Sequence, residues 1–505
     1  MVLLEDKDQD GIYDHRTVFA DKLGVASSIM PYRQGILVAS PPHLLFLKDT
    51  DGDQIADQRE ILMAGFDVGN LQHNYNGLTY GLDNWIYAAT GGNSGSPYFV
   101  GHPESKLPLR DQDFRFDIDK KILDRVGRSS GGFEMALDHW GRMYGTHNTQ
   151  HISQLVFEEK YFNGMPLGPD GTLVNISNHE ENNLARVYPI GEQETRVNHP
   201  EQSGYFSGAC GITHYGGGAF SEEDKTYIFI ADVVLNLIHL DILSHNGIAA
   251  EAARHRPKSE FLASTDRAFR PVNMTTGPDG ALYLLDMHRD VIEHPEWIPD
   301  ELEKDMDLQA GKDKGRIYRI TAKGGKKQEI QNLSEKSISE LTNALEDKNQ
   351  WVRMTAQRLL VEKNDPEAIS QLETLVKNDN NPFAQLHALW TLEGMGKLSD
   401  DVLLAALKAQ NPDLQIQAIK IAEKRLDRGD LIEQIISMFD VRRIPPYKYR
   451  HCCWTNSGGN IILNIKTNTE AASLSSAQRR QIPGSKYRRS NCCGSGSFAF
   501  LTYNH

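Results

Sequence analysis

Cysteine is scarce and poorly placed for a scaffold. Of five in 505 residues, Cys210 stands alone, and Cys452-Cys453 and Cys492-Cys493 are neighbours in the chain. Adjacent cysteines build no disulfide framework, and no Cys-x-x-Cys or Cys-x-x-Cys-His occurs, so this stretch has no c-type haem attachment point. Cys210 reads as a small buried hydrophobe. No run of 18 apolar residues exists, which excludes a membrane-spanning helix by sequence. Basic charge is also in deficit. A net charge of −14 disfavours nucleic acid as a partner, because phosphate binding needs clustered Lys and Arg. Met1-Val2-Leu3-Leu4 runs at once into Glu5, without the basic and apolar regions of a signal peptide. That start reads as the middle of a β-strand, so the N-terminus is expected to be truncated.

What is present is ordinary globular composition, 39% hydrophobic and 24% charged, in a chain long enough for two or three cores. Residues 1–325 are rich in Gly, Tyr, Asp and short apolar runs bounded by turn signals. One phrase recurs there, a short strand, an Asp-containing turn and a strand bearing an aromatic residue. It reads Gly81-Leu82-Asp83-Asn84-Trp85-Ile86-Tyr87, then Leu137-Asp138-His139-Trp140-Gly141-Arg142-Met143-Tyr144, then Gly277-Pro278-Asp279-Gly280-Ala281-Leu282-Tyr283. The first two copies lie about 55 residues apart, the scale of one four-stranded propeller blade. Gly35-Ile36-Leu37-Val38-Ala39 and Tyr227-Ile228-Phe229-Ile230-Ala231 are expected in less regular blades. The fold expected is an all-β propeller, six-bladed in the complete protein, followed by an all-α HEAT-like solenoid.

The solenoid is placed at residues 333–440. Asn349, Asn381 and Asn411 each precede an amphipathic run, and Pro382 and Pro412 occupy the first helical position, where a missing N–H costs nothing. An Ala falls seven residues after each Asn, at Ala356, Ala388 and Ala418, where a small side chain lets stacked helices approach. Residues 441–505 are Ser-, Asn- and Arg-rich without a sustained period, and read as irregular or non-native tail.

Two Asp-rich loops carry the clearest metal signal. Asp6, Asp8, Asp10, Ile12 and Asp14 recur in spacing as Asp49, Asp51, Asp53, Ile55 and Asp57. Carboxylates at alternate positions, with a mid-loop carbonyl at Ile12 or Ile55, match the oxygen-rich shell of Ca²⁺. Strands flank both loops, so they are not EF-hands. A second constellation is Gln72-His73-Asn74-Tyr75-Asn76, ahead of the first blade phrase. A His there can point into a propeller channel and take a proton near neutrality.

Residues His73, Leu78, Gly81, Asp83, Tyr87 and Gly91 resemble the active-site blade of the glucose/sorbosone dehydrogenase family, whose propellers hold pyrroloquinoline quinone (PQQ). Arg270 with Gly277-Pro278-Asp279-Gly280, and Gly315-Arg316-Ile317-Tyr318-Arg319-Ile320, resemble later parts of that family. Residues 1–440 are more closely similar to the large membrane-bound dehydrogenase-like proteins of planctomycetes, also called PVC-type haem-binding proteins. The carrying phrases are both Asp loops, Gln72-His73-Asn74, Phe261-Leu262-Ala263-Ser264-Thr265-Asp266 and Val291-Ile292-Glu293-His294-Pro295-Glu296-Trp297-Ile298-Pro299.

The resemblance implies an oxidoreductase acting on a sugar or alcohol with PQQ. In it His73 takes the hydroxyl proton, Arg128 stabilises developing charge, and Gln72 and Arg270 bind the cofactor. The segment after Arg128 is about two residues longer than the family pattern. Electrons would pass to a cytochrome through a c-type haem domain that this chain lacks, along with the signal peptide and first blade. Location outside the cytoplasm, with membrane association, is implied too. Two other functions fit a propeller with a solenoid: a non-catalytic glycan- or protein-binding scaffold, and a calcium-dependent lactonase-like hydrolase.

Overall fold

The computed structural model describes residues 1–438 except 9, 11, 163–168, 192–201, 220–224, 246, 294–297, 324–329, 379 and 426, together with 451–453 and 464–466. Most of the expected tail, and His294 to Trp297 of the family phrase, therefore lie outside the described residues.

The chain opens with a two-stranded ladder, β1 (Val2–Glu5) and β2 (His15–Val18). Among the described residues, five antiparallel blades follow. The first is β3 (Ser28–Tyr32), β4 (Gly35–Ser40), β5 (His43–Lys48) and β6 (Gln58–Phe66). Next in sequence come β7 (Asn76–Tyr80), β8 (Ile86–Ala89), β9 (Gly95–Phe99), β10 (Gln112–Asp117) and β11 (Ile122–Arg128). Of these, β7, β8, β10 and β11 make the second blade, while β9 pairs back onto β6. The third blade is β12 (Met135–Leu137), β13 (Met143–Gly145), β14 (Ser153–Leu155) and β15 (Leu173–Asn175). A small hairpin, β16 (Glu180–Glu181) and β17 (Leu184–Ala185), precedes the fourth blade. That blade is β18 (Ala209–His214), β19 (Thr226–Asp232), β20 (Leu237–Ser244) and β21 (Glu251–Arg254), with β22 (Leu262–Ala263) also on β20. The fifth has three strands, β23 (Pro271–Thr276), β24 (Leu282–Asp286) and β25 (Arg316–Ile320).

Burial explains why some strands read as continuous apolar runs and others do not. β19 is a second strand covered on both faces and is almost wholly buried, whereas the outer strand β25 is almost wholly exposed. Between the blades the core is aromatic and aliphatic. Phe66 stacks on Tyr75 at 3.8 Å, and Tyr144, Phe206, Ile228 and Ile230 fill the seam of the third and fourth blades.

The recurrent Asp phrase proves to be one device used three times. Asp83 caps its turn by accepting from Trp85 N and takes the Tyr87 hydroxyl at 2.9 Å, with Arg115 Nη1 at 3.0 Å. Asp138 accepts from Trp140 N, Tyr144 Oη and Arg142 Nη1. Asp279 accepts from Ala281 N, Tyr283 Oη and Arg319 Nε. Glycine opens the phrase because a Cβ at Gly81 would lie 2.5 Å from the Tyr87 ring, and one at Gly277 2.3 Å from the Tyr283 ring.

After α1 (Asp300–Glu303) the helical part begins with α2 (Ile338–Asn343), α3 (Gln350–Lys363), α4 (Ala368–Lys377) and α5 (Pro382–Gly394). The Asn349 and Asn381 side chains accept from first-turn N–H groups of α3 and α5, and Ala356 and Ala388 are fully buried. The first helices share a compact unit with the propeller. One compact unit spans Met1–Leu398 and a second begins at Ser399. The reason is α3, whose polar side chains dock on the blade turns. Asn349 Nδ2 donates to Gly277 O, Gln357 Nε2 to Leu82 O, and Gln350 Nε2 to Asp138 O. The second unit holds α6 (Asp400–Leu407), α7 (Pro412–Ala422) and α8 (Gly429–Met438). Within it, Asn411 caps α7 and Ala418 is fully buried.

Candidate functional site

α3 docks on the turns that follow the first strands β7, β12 and β23. A cavity of about 930 Å³ lies there, lined by β3, β7, β12, β18 and β23 residues and by Trp351, Met354 and Arg358 of α3. Its most unusual lining residue is Glu134, which sequence reasoning missed. Its backbone sits at φ 72°, a strained left-handed conformation for a side-chain-bearing residue. Asn76 Oδ1 accepts from Glu134 N at 2.7 Å, and Asn273 Nδ2 donates to Glu134 Oε1 at 2.5 Å. Burial, partly offset by Asn273, pushes the Glu134 carboxyl up to about 7.

Folding therefore raises the proton affinity of Glu134. Between the ordinary glutamate range and about pH 7 the folded chain holds a proton that the unfolded chain has lost, so this group's contribution to stability falls as pH rises through that window. Glu134→Gln keeps an acceptor for Asn273 and removes the charge. The variant should match the parent's unfolding temperature near pH 4 and exceed it near pH 8; equal temperatures at both values would contradict the assignment.

Of the sequence-predicted residues, His73 lies just before the N-terminal end of β7. Its Nδ1 lies 2.8 Å from Gly91 O. A carbonyl only accepts, so Nδ1 carries the proton in the neutral ring and Nε2 is the basic nitrogen. Gly92, at φ +112°, sits under the ring, where a Cβ would come within 2.8 Å of Nδ1. His147, at the end of β13, lies close enough that His73 adds to burial in lowering its pKa. Thr90 and Thr146 follow β8 and β13 at matching positions. Both hydroxyls are buried without a hydrogen-bond partner.

The other predicted residues are placed differently. Gln72 is exposed, with Nε2 donating to Ile292 O at 3.3 Å. Arg128 ends the outer strand β11, paired in register with Gln112, and is exposed. Arg270 is buried, but its fork is occupied: Nε donates to Arg289 O, Nη1 to Val233 O and Val234 O, and Nη2 to Asp290 O. A cofactor carboxylate would have to displace those carbonyls. Nearby, Arg289 Nη1 is buried without a hydrogen-bond partner.

Both Asp loops bring carboxylates together. Asp6, Asp8 and Asp10 each offer an oxygen within 4.8 Å of the others, and so do Asp49, Asp51 and Asp53. Asp49 accepts from Gly52 N and Gln54 N, which hold its pKa down. Asp57 closes its loop instead by taking Thr50 N at 2.9 Å, and Asp14 stands outside its group. Ile12 N and Ile55 N donate to Asp10 and Asp53, so both mid-loop residues are fixed against the carboxylates. Gln54 Nε2 donates to Glu5 Oε1, linking the second loop to β1.

No curated protein matches the chain. Among solved structures it is similar to a PQQ-bound aldose sugar dehydrogenase from Streptomyces coelicolor, at 13% identity over 60% of this chain and 96% of that one, TM-score 0.29. It is also similar to an oxidoreductase (glucose dehydrogenase) from Thermus thermophilus, at 12% identity over 59% and 97%, TM-score 0.28. A gluconolactonase-type structure aligns at 12% identity over 53% and 73%, TM-score 0.30. Scores this low carry no argument, and the propeller rests on its own strand ladders. Residues 324–393 match the HEAT repeat model. Residues 1–324 match a family model described as a domain of unknown function, DUF7133, and with 324 of 505 residues so matched the chain belongs to that family.

Proposed function

We propose that the rim at the His73 end of the channel oxidises a small hydroxylated substrate, a sugar or an alcohol, with His73 as proton acceptor. The observation that carries this reading is the His73 imidazole. Gly91 O fixes Nδ1–H, which leaves Nε2 to take a hydroxyl proton. The half-buried His147, close enough to His73 to feel its charge, offers a hydroxylated ligand a second imidazole. The buried, unpartnered Nη1 of Arg289 has a bond to give to a carboxylate of PQQ, whereas the fork of Arg270 is occupied. When bound, PQQ would supply the two-electron acceptor. Arg128 and Gln72 remain proposed contacts, and a cytochrome outside the cytoplasm is the proposed onward acceptor.

Full-length protein should be incubated with PQQ and Ca²⁺, then offered a panel of sugars and alcohols with an artificial electron acceptor. Reduction that needs both substrate and PQQ supports the proposal. Lactone hydrolysis without PQQ would replace it with the hydrolase reading. Neither activity, with tight glycan binding, would favour a scaffold.

Calcium at the Asp loops is part of the same proposal, in a structural role. Clustered carboxylates repel one another, and a bound cation removes that repulsion. A ligand that binds only the folded state stabilises it by about 2.7 kcal/mol at a hundredfold excess over Kd. Saturating Ca²⁺ should raise the unfolding temperature over a chelated sample, and Asp8→Ala with Asp51→Ala should remove most of the rise. Identical temperatures with and without chelator would remove calcium from the description.

A further inference from the structure

Away from the channel, four side chains of the third and fourth blades meet in the interior. β20 carries His239 and Asp241 at alternate positions, so both face one side of its sheet. His151 comes from the connection between β13 and β14, and His179 from the turn after β15. Their Nε2 atoms converge on one carboxylate. His151 Nε2 lies 2.9 Å from Asp241 Oδ2, while His239 Nε2 and His179 Nε2 lie 2.9 Å and 3.8 Å from Asp241 Oδ1. One ligand atom of each residue lies within 4.8 Å of those of the other three. The side chains of His151, His239 and Asp241 are fully buried and that of His179 is 15% exposed. Even so, His151 Nδ1 and both ring nitrogens of His179 lack a hydrogen-bond partner. Burying imidazole nitrogens unpartnered is costly, so internal hydrogen bonding alone does not account for this cluster.

We propose that His151, His179, His239 and Asp241 bind a divalent first-row transition metal of the zinc class. A tetrahedral centre with bonds of about 2.0–2.2 Å has ligand-to-ligand edges of about 3.3 Å. The separations at Asp241 fall on either side of that value. Three imidazoles and one carboxylate suit zinc, copper or nickel, whereas Ca²⁺ and Mg²⁺ call for more oxygens. A supporting layer is also in place. Glu260 Oε2 lies 2.7 Å from His239 Nδ1, and Arg254 Nη1 donates to Glu260 Oε1 at 2.6 Å. A carboxylate on the far nitrogen is how metal-binding imidazoles are oriented. Phe206 stacks on the His151 ring at 4.7 Å and walls that side with carbon. Four protein ligands in a buried pocket make a closed site, so the metal ties two blades together rather than reacting.

Full-length protein purified without chelator should contain about one zinc per chain by elemental analysis. After metal removal, added Co²⁺ should bind one per chain, with the visible absorption of a nitrogen-rich tetrahedral centre, and should raise the unfolding temperature. His179→Ala removes a ligand at the exposed edge and should weaken cobalt binding by about tenfold or more. Glu260→Gln leaves every ligand in place and should weaken it on the order of 10–100-fold. A parent chain that takes up neither zinc nor cobalt in stoichiometric amount overturns the proposal, whether or not the variants fold. Cobalt affinity unchanged in folded His179→Ala also overturns it. The Asp loops do not confuse the reading, since oxygen-only cobalt lacks that spectrum.

Discussion

His73→Ala is expected to cut the proposed PQQ-dependent turnover by a factor on the order of 10²–10⁴, the usual worth of a positioned general base. Folding should be nearly untouched. The His73 ring makes one hydrogen bond, to Gly91 O, and its backbone carbonyl still accepts from Asn93 N in the variant. A residue that merely packed would behave otherwise, with activity falling only as far as the folded fraction falls. Unfolding temperature and turnover measured on one sample separate the two. A folded variant with undiminished turnover takes His73 out of the chemistry.

Asp279→Ala should be more damaging than Asp83→Ala, lowering stability by about 3 kcal/mol, the lower end for breaking a buried ion pair. The Asp279 side chain is 1% exposed and receives the Arg319 side chain at 2.6 Å, the Tyr283 hydroxyl and Ala281 N. Arg319 is a third exposed, so water takes up part of the loss. Asp83→Ala should cost less, because Arg115 keeps Asp124 at 2.8 Å and Glu158 at 3.4 Å. Urea unfolding of both variants checks the order. Equal losses would mean that the turn backbone, not the ion pair, sets the cost.

Much of the fold was legible because its devices are local. An Asp, its turn and a Tyr four or six residues on lie within one strand pair, so the blade phrase shows in sequence. Asn349, Asn381 and Asn411 cap their own helices, and Ala356, Ala388 and Ala418 are fully buried, because capping and helical period act over a single turn. His73 was legible only through the phrase that follows it. What escaped is long-range. Glu134 draws its character from Asn76 and Asn273, residues in other blades, and from a backbone conformation that no propensity announces. The histidine cluster is assembled from positions 151, 179, 239 and 241, and only the alternation at His239 and Asp241 has a local trace. The Arg270 fork is filled by carbonyls of loops that meet it only in the fold. That the first helices share the propeller's compact unit follows from α3, which bonds to turns more than 70 residues upstream.

The placement of α3 also bears on how the chain comes apart. Gln357, Gln350 and Asn349 bond to the turns at Leu82, Asp138 and Gly277, so α3 cannot leave without breaking hydrogen bonds to three blades at once. The first helices and the propeller should therefore melt as one cooperative unit, and heating should show no separate early loss of helix from Met1–Leu398.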